Sequence, residues 1–336
     1  MKKKIAYVDF WNNFDPNGYL MTKYLKEICD FEVTDMEHAD YIFYTVHGNR
    51  HWQAPDRAIK IFYTREGVVP DFNACDYAIG FEWMEYEDRY FRSPLYYRYP
   101  ENQLMEKKHL LTPQEIKAMK TDFCSITVSN NNRDPIFKTL FDELTRYKRV
   151  DSGGLWQNNV GGRVADKLAF DRSHKFSIVC ENASHSGYTT EKLVQAFAAG
   201  CIPIYWGDPA VSKVFNPKAF INVQDFPTTE ALVEHVKKID ADDALYEQML
   251  REPALRSDEY CEAIHTPQLK AFLNNIFQQP LEKAQRRNRG TWGQLYIENR
   301  RKQVNSYSYK LQASLHRTIW KFKQLLRRKS CGANSR

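Results

Sequence analysis

Residues Phe176–Pro209 read FSIVCENASHSGYTTEKLVQAFAAGCIPIYWGDP, and the order of residue types in this stretch decides the fold class. The run 175–180 is apolar and ends at Glu181-Asn182, where a loop with Ser184, Ser186 and Gly187 begins. Helical spacing starts at Tyr188 or Thr189 and predicts a helix over 189–199. Gly200 closes it as a left-handed residue, and CIPIYW (201–206) is a second buried strand. Strand, polar loop and helix start is a unit whose unpaired N–H groups and helix dipole favour an anion. In open α/β sheets ligands lie off the carboxyl ends of the strands. Thr189 or Thr190 can cap the helix, Glu191 can accept two ribose hydroxyls, and Lys192 supplies charge for a pyrophosphate. Taken alone, the Thr190-Glu191-Lys192 run is equally well a capping arrangement with a solvated lysine.

Working outward, the same alternation recurs. Strands are predicted over 4–10, 41–46, 59–64 and 76–81, with a helix over 19–28 between the first two. From Phe91 to about Thr121 the text is irregular and holds a polar segment after Thr112-Pro113. A second series follows: strands over 123–129, 147–152, 175–182, 201–206 and 219–223, and helices over 135–146, 189–199, 228–239, 242–250 and 266–278. The expected fold class is α/β, two Rossmann-like domains facing across a cleft. Residues 1–118 form the first domain, 119–280 the second, and 281–336 a basic helical tail.

Length and composition set the outer limits. The chain has 336 residues, too many for one ordinary core. Its 43% hydrophobic and 27% charged content is that of a soluble globular protein. Twenty Tyr, twenty Phe and seven Trp fit a surface that stacks on sugar faces, although core filling accounts for most of them. Seven scattered cysteines without a CxxC read as reduced core thiols in a reducing compartment. The net charge of +6 is uneven: residues 301–336 carry ten Lys/Arg and no Asp/Glu, which leaves 38 basic against 42 acidic residues before them. A mildly acidic body argues against nucleic acid as a partner. In the tail, Leu311, Leu315, Ile319, Phe322 and Leu326 make a stripe flanked by Trp320 and Leu325, with Lys310, Arg317, Lys321, Arg327 and Arg328 around it. This is the pattern of a helix lying on an anionic membrane surface. The expected location is therefore cytoplasmic, peripheral to the inner face of the cytoplasmic membrane. The plainer readings of the tail are a helix packed on the first domain or a disordered segment.

The whole run ENASHSGYTTEKLVQAFAAGCIPIYWGDPAV with FNPKAFINVQDF (215–226) closely resembles the donor-binding signature of the α1,3/4-fucosyltransferases, glycosyltransferase family 10. FYTREGVVPDFNACDYAIGF (62–81) and DRYFRSPLYY (88–97) resemble acceptor-side motifs of bacterial members. VSNNN (128–132) and VDSGGLWQNN (150–159) resemble the loops that precede the donor signature. The resemblance implies a GT-B fold, GDP-fucose as donor, no obligatory metal, and inverting transfer to a GlcNAc or glucose hydroxyl of a lactosamine-type or lactose-type glycan. It assigns donor contacts to Asn182, Tyr188, Glu191 and Lys192, and the general base to Glu66. Where the family has glycine beside the base, this chain has Arg65, which bears on acceptor fit. The family's pyrophosphate arginine falls near Ile136 or Phe137, which cannot do that work, and Arg133, three or four residues earlier, is the nearest arginine to substitute for it.

The chemistry needs a base for the acceptor hydroxyl, charge neutralisation on the departing GDP, and in-line placement of the two. Gly153 and Gly154 allow backbone to approach a ligand, or form a plain turn. Asp240-Ala241-Asp242 reads as helix capping rather than a metal-bound nucleotide motif, and the histidines form no HExxH cluster. P-loop, GxGxxG and GxSxG patterns are missing. The rival functions are a GT-B transferase using another nucleotide sugar and a membrane-tethered glycan-binding protein without catalysis. A homo-oligomer is compatible with either.

Overall fold

A computed structural model describes residues 2–105, 112–129, 134–312, 314–315 and 318–319. They divide into two compact units. Unit 1 comprises 1–80, 84–93 and the chain from 266 onward, and unit 2 comprises 81–83 and 94–265.

Unit 1 starts with β1 (Lys3–Val8), α1 (Leu20–Ile28), β2 (Phe31–Val33), β3 (Tyr41–Tyr44), β4 (Ile59–Tyr63), β5 (Tyr77–Gly80) and β6 (Tyr90–Arg92). All pairings are parallel and the order is β2-β1-β3-β4-β5-β6. β3 and β4 are buried along their whole length, which is why they read as unbroken apolar runs rather than alternating ones. α1 buries Met21 and Leu25 at a spacing of four and so presents one apolar face.

Unit 2 contains α2 (Pro113–Met119), β7 (Asp122–Ile126), α3 (Ile136–Tyr147), β8 (Val150–Ser152), α4 (Lys167–Arg172), β9 (His174–Cys180), α5 (Glu191–Ala198), β10 (Ile202–Trp206), β11 (Ile221–Asn222), α6 (Thr229–Ala241) and α7 (Asp243–Arg251). Its parallel sheet runs β11-β10-β9-β7-β8. Read from β8, this is the doubly wound order 2-1-3-4-5, whose chain reverses direction between β7 and β9. Ligands of such sheets bind at that reversal.

The units do not divide where the sequence suggests. Tyr96 and Tyr97, expected in the first domain, are buried in unit 2. Tyr96 meets Phe215 edge-on at 5.3 Å, and Tyr97 stacks on His265 at 3.8 Å. In the other direction, α8 (Glu262–Gln278) leaves unit 2 after His265 and buries Leu269, Leu273, Ile276 and Phe277 in the unit 1 core. Phe277 stacks on Tyr41 at 4.3 Å. A helix shows its spacing in sequence but not which sheet it covers. The supposed tail is also partly body: α9 (Leu281–Ala284) and α10 (Thr291–Asn305) bury Ala284, Ile297 and Val304. Arg287 pairs with the fully buried Asp76 at 2.9 Å, and Arg301 grips Asp56 and the Trp52 and Ala54 carbonyls.

This anchorage has an electrostatic consequence. Lys60 on β4 is 1% exposed and donates to the His51 carbonyl at 3.1 Å. Burial first, then Arg287 and Arg301, pushes its ammonium down to about 7. The unfolded lysine keeps its proton to about 10.4. Between those values the unfolded chain holds more protons, so stability rises with pH across this window and is flat below it. The difference in urea midpoint between wild type and Lys60→Met should therefore shift toward wild type from pH 7 to pH 9. The slope has a ceiling of roughly 1.4 kcal/mol per pH unit for one proton. A difference that does not change with pH would contradict this.

Candidate active site

The loop after β9 is held by two buried carboxylates that the sequence reading did not single out. Glu181, 0% exposed, accepts the Thr190 amide at 2.7 Å, the Thr190 hydroxyl at 2.7 Å and the Lys192 ammonium at 3.0 Å. Asp208, at the end of β10, accepts the Gly187 amide (2.8 Å), the Thr189 hydroxyl (3.0 Å) and the Ala210 amide (2.7 Å). Its own amide donates to the Tyr205 hydroxyl at 3.0 Å. Gly207 makes room for this: a Cβ there would stand 2.5 Å from Cγ of Glu181. Gly187 has φ +84°, and its Cβ would stand 2.4 Å from the Phe81 carbonyl oxygen. Gly200 has φ +68° and ends α5 as expected.

This geometry revises one expectation. Thr190 occupies the N-cap of α5 but its side chain does not cap the helix; it bonds Glu181 instead. Of the amides at the helix start, Glu181 takes that of the N-cap residue, Thr190. Lys192 is engaged by Glu181, by the Thr190 hydroxyl at 2.8 Å and by Glu191 at 3.6 Å. Asn182 is exposed, and the half-buried Glu191 opens the first turn of α5. Tyr188 is 4% exposed and packs edge-on against Phe81 at 5.1 Å. Asn182, Tyr188, Glu191 and Lys192 therefore share one β9–α5 connection, off the carboxyl end of the sheet and at its reversal. Arg133 lies outside the described residues.

Gly153 and Gly154 do not line this loop through any special backbone angle. A Cβ on Gly154 would stand 2.0 Å from the Val128 carbonyl oxygen, and one on Gly153 would stand 2.7 Å from the Phe170 ring. Close packing after β8 accounts for both.

In unit 1, Glu66 is exposed in the loop after β4. Its backbone is fixed: its amide donates to the Thr64 hydroxyl at 3.0 Å, and that hydroxyl donates to its carbonyl at 2.9 Å. Arg65 lies 5.1 Å over the Trp11 ring and donates to the Tyr63 hydroxyl at 3.3 Å. Trp11 belongs to an aromatic group after β1: it meets Phe14 edge-on at 5.1 Å, and Phe10 stacks on Phe14 at 4.0 Å. This group sits where unit 1 reverses, between β1 and β3. Asp9, with φ +59°, ties these loops together by accepting the His51 ring at 2.7 Å and the Arg50 and His51 amides. Burial works to raise its pKa, but the hydrogen bonds from the His51 ring and the two amides outweigh it and hold the carboxyl below its ordinary value. Among the described residues no group of three or more His, Cys, Asp or Glu is placed to hold a metal.

Both parts of the chain match known proteins. Residues 5–99 match the family model of the α-(1,3)-fucosyltransferase N-terminal domain, and 117–254 match that of the glycosyltransferase family 10 (fucosyltransferase) C-terminal region. The chain is similar to the α-(1,3)-fucosyltransferase FucT of Helicobacter pylori, 34% identical over 230 residues, or 60% of this chain and 48% of that protein. It is also similar to a putative fucosyltransferase of Acanthamoeba polyphaga mimivirus, 33% identical over 171 residues, or 47% of this chain and 28% of that one. The chain thus spans about half the length of these curated relatives or less. A crystal structure of an α1,3-fucosyltransferase matches with a TM-score of 0.70 at 27% identity, covering 83% of this chain and 90% of that one. The structure titled with GDP-fucose matches at 0.68, also at 27% identity, covering 83% and 91%. The two parallel-sheet α/β units are of the GT-B class these structures display.

Proposed function

Because this chain belongs to glycosyltransferase family 10, we propose that it moves L-fucose from GDP-fucose to the 3-hydroxyl of GlcNAc or glucose in lactosamine-type glycans, with the 4-hydroxyl as the alternative position. The observation that carries this reading is the gathering of Asn182, Tyr188, Glu191 and Lys192 on the β9–α5 loop and the first turn of α5, at the reversal of the unit 2 sheet. The family matches supply the identity of the donor. In the reaction the acceptor hydroxyl gives its proton to Glu66 as its oxygen bonds to the anomeric carbon of fucose. The bond from that carbon to the β-phosphate oxygen breaks on the opposite side, so configuration inverts. Lys192 takes up charge on the leaving diphosphate, while Asn182 and Glu191 hold nucleoside or fucose hydroxyls. Arg65 and Trp11, beside the base, are the residues proposed to shape the acceptor side. No metal enters these steps. The test is initial GDP or UDP release with GDP-fucose, GDP-mannose and UDP-sugars at equal concentration. GDP-fucose should lead by orders of magnitude; equal or faster turnover of another nucleotide sugar would overturn the donor assignment.

The chain end belongs to the same proposal. Helix continues over 307–312, where Tyr307 and Leu311 are exposed, and Leu315 and Ile319 beyond them are exposed as well. The rest of the predicted stripe, from Trp320 on, lies outside the described residues. Among the described residues no helix is long and apolar enough to cross a membrane. We place the protein at an anionic membrane surface through this stripe, on the inner face of the cytoplasmic membrane. Deleting 307–336 keeps the Arg301 anchor and should abolish sedimentation with phosphatidylglycerol-containing liposomes while sparing turnover of soluble acceptors. Liposome binding that survives the deletion would contradict the placement.

A further inference from the structure

Glu181 has no assigned part in donor binding, yet its position gives it one. Its side chain is fully buried under the β9–α5 loop and takes three hydrogen bonds, two from Thr190 and one from Lys192. The Lys192 ammonium has three protons to donate. Two go to Glu181 and Thr190 at 3.0 and 2.8 Å, and Glu191 stands 3.6 Å away. A cation that meets a diphosphate here does so with a fixed negative charge behind it. The same carboxylate accepts the amide of Thr190, the N-cap residue of α5. A neutral amide of the same shape keeps an oxygen for the Thr190 amide, but its nitrogen replaces the oxygen that accepts the Thr190 hydroxyl and Lys192, so it releases the ammonium.

We propose that Glu181 is a positioning residue that holds Lys192 in place and tempers its hold on diphosphate, so that GDP leaves after transfer. The proposal rests on Lys192 meeting the donor's diphosphate, and it makes a prediction opposite in sign to that of a merely structural role. If Glu181 only braces the loop, Glu181→Gln weakens diphosphate binding. If it is a counter-charge, Glu181→Gln tightens it, by roughly tenfold, the effect of removing one unit charge a few ångström away in a partly buried site.

Two probes, GDP and inorganic pyrophosphate, are titrated by calorimetry into wild type, Glu181→Gln and Lys192→Met, with thermal unfolding recorded for each. The expected result is tighter binding of both probes to Glu181→Gln, slower GDP release and a lower kcat. Weaker or unchanged binding to a folded Glu181→Gln overturns the proposal. Lys192→Met keeps it testable even if Glu181→Gln does not fold: binding of both probes must weaken at least tenfold, and unchanged pyrophosphate affinity overturns the proposal. If wild type takes pyrophosphate but not GDP, while pyrophosphate binds Glu181→Gln more tightly and Lys192→Met more weakly, the donor assignment fails and the counter-charge stands.

Discussion

Replacing Glu66 by alanine is expected to lower kcat about a hundredfold or more while GDP and GDP-fucose still bind. The side chain is exposed and the loop geometry comes from the Thr64 hydroxyl and the backbone, so its loss leaves the loop in place. Glu66→Gln, which keeps the shape and removes the base, should be as slow as Glu66→Ala. The residues proposed to hold the donor lie on the β9–α5 loop and the first turn of α5 in unit 2, whereas Glu66 is in unit 1. Glu191→Ala should therefore fail differently, with weaker donor binding as well as slower turnover. Calorimetry with GDP-fucose beside steady-state rates distinguishes the two. Near-normal turnover of Glu66→Ala, or a loss of donor affinity as large as that of Glu191→Ala, would contradict this division of roles.

Gly154→Ala is expected to destabilise unit 2 by about 3 kcal/mol or more, lowering its unfolding midpoint by roughly 6–12 °C. The new Cβ would lie 2.0, 2.4 and 2.6 Å from the oxygen, carbon and nitrogen of Val128. These are backbone atoms at the end of a central strand, with no rotamer to yield. The Val128 carbonyl also accepts the Trp156 amide at 2.9 Å, so displacing it breaks a bond between the two loops. Gly153→Ala meets the Phe170 ring and a Val164 methyl, side chains that can shift, and should cost less. Calorimetric unfolding of both variants decides the matter. A Gly154→Ala protein that unfolds normally but loses donor affinity would return Gly154 to the ligand site.

The strands and helices nearest the donor loop are read well from sequence because their apolar runs are long and bounded. The helix predicted over 189–199 is α5 within two residues at its start, and that over 228–239 is α6 within two at its end. Some short elements escape. β2 and β6 have three residues each, too few for a period to show, whereas the equally short β8 and β11 fall inside the runs predicted over 147–152 and 219–223. α2 is hidden in a polar segment although Thr112 and Glu115 form a capping box around Pro113, a signal present in the letters. The unit boundary and the return of α8 to unit 1 depend on which surface a helix buries, and spacing carries no such information. The site shows the same split. Asn182, Glu191 and Lys192 are legible as a motif, whereas Glu181, Asp208 and Asp9 act by being buried against partners up to 42 residues away.

The central claim is that this chain transfers fucose from GDP-fucose, and the most direct measurement is the structure of the product. The chain is incubated with GDP-fucose and N-acetyllactosamine, GDP is counted, and the glycan is resolved by NMR. One fucose on the 3-hydroxyl of GlcNAc, with inverted anomeric configuration and one GDP released per product, is the predicted result. An unmodified acceptor with no GDP released, from a folded chain that transfers a different sugar under the same conditions, would contradict it.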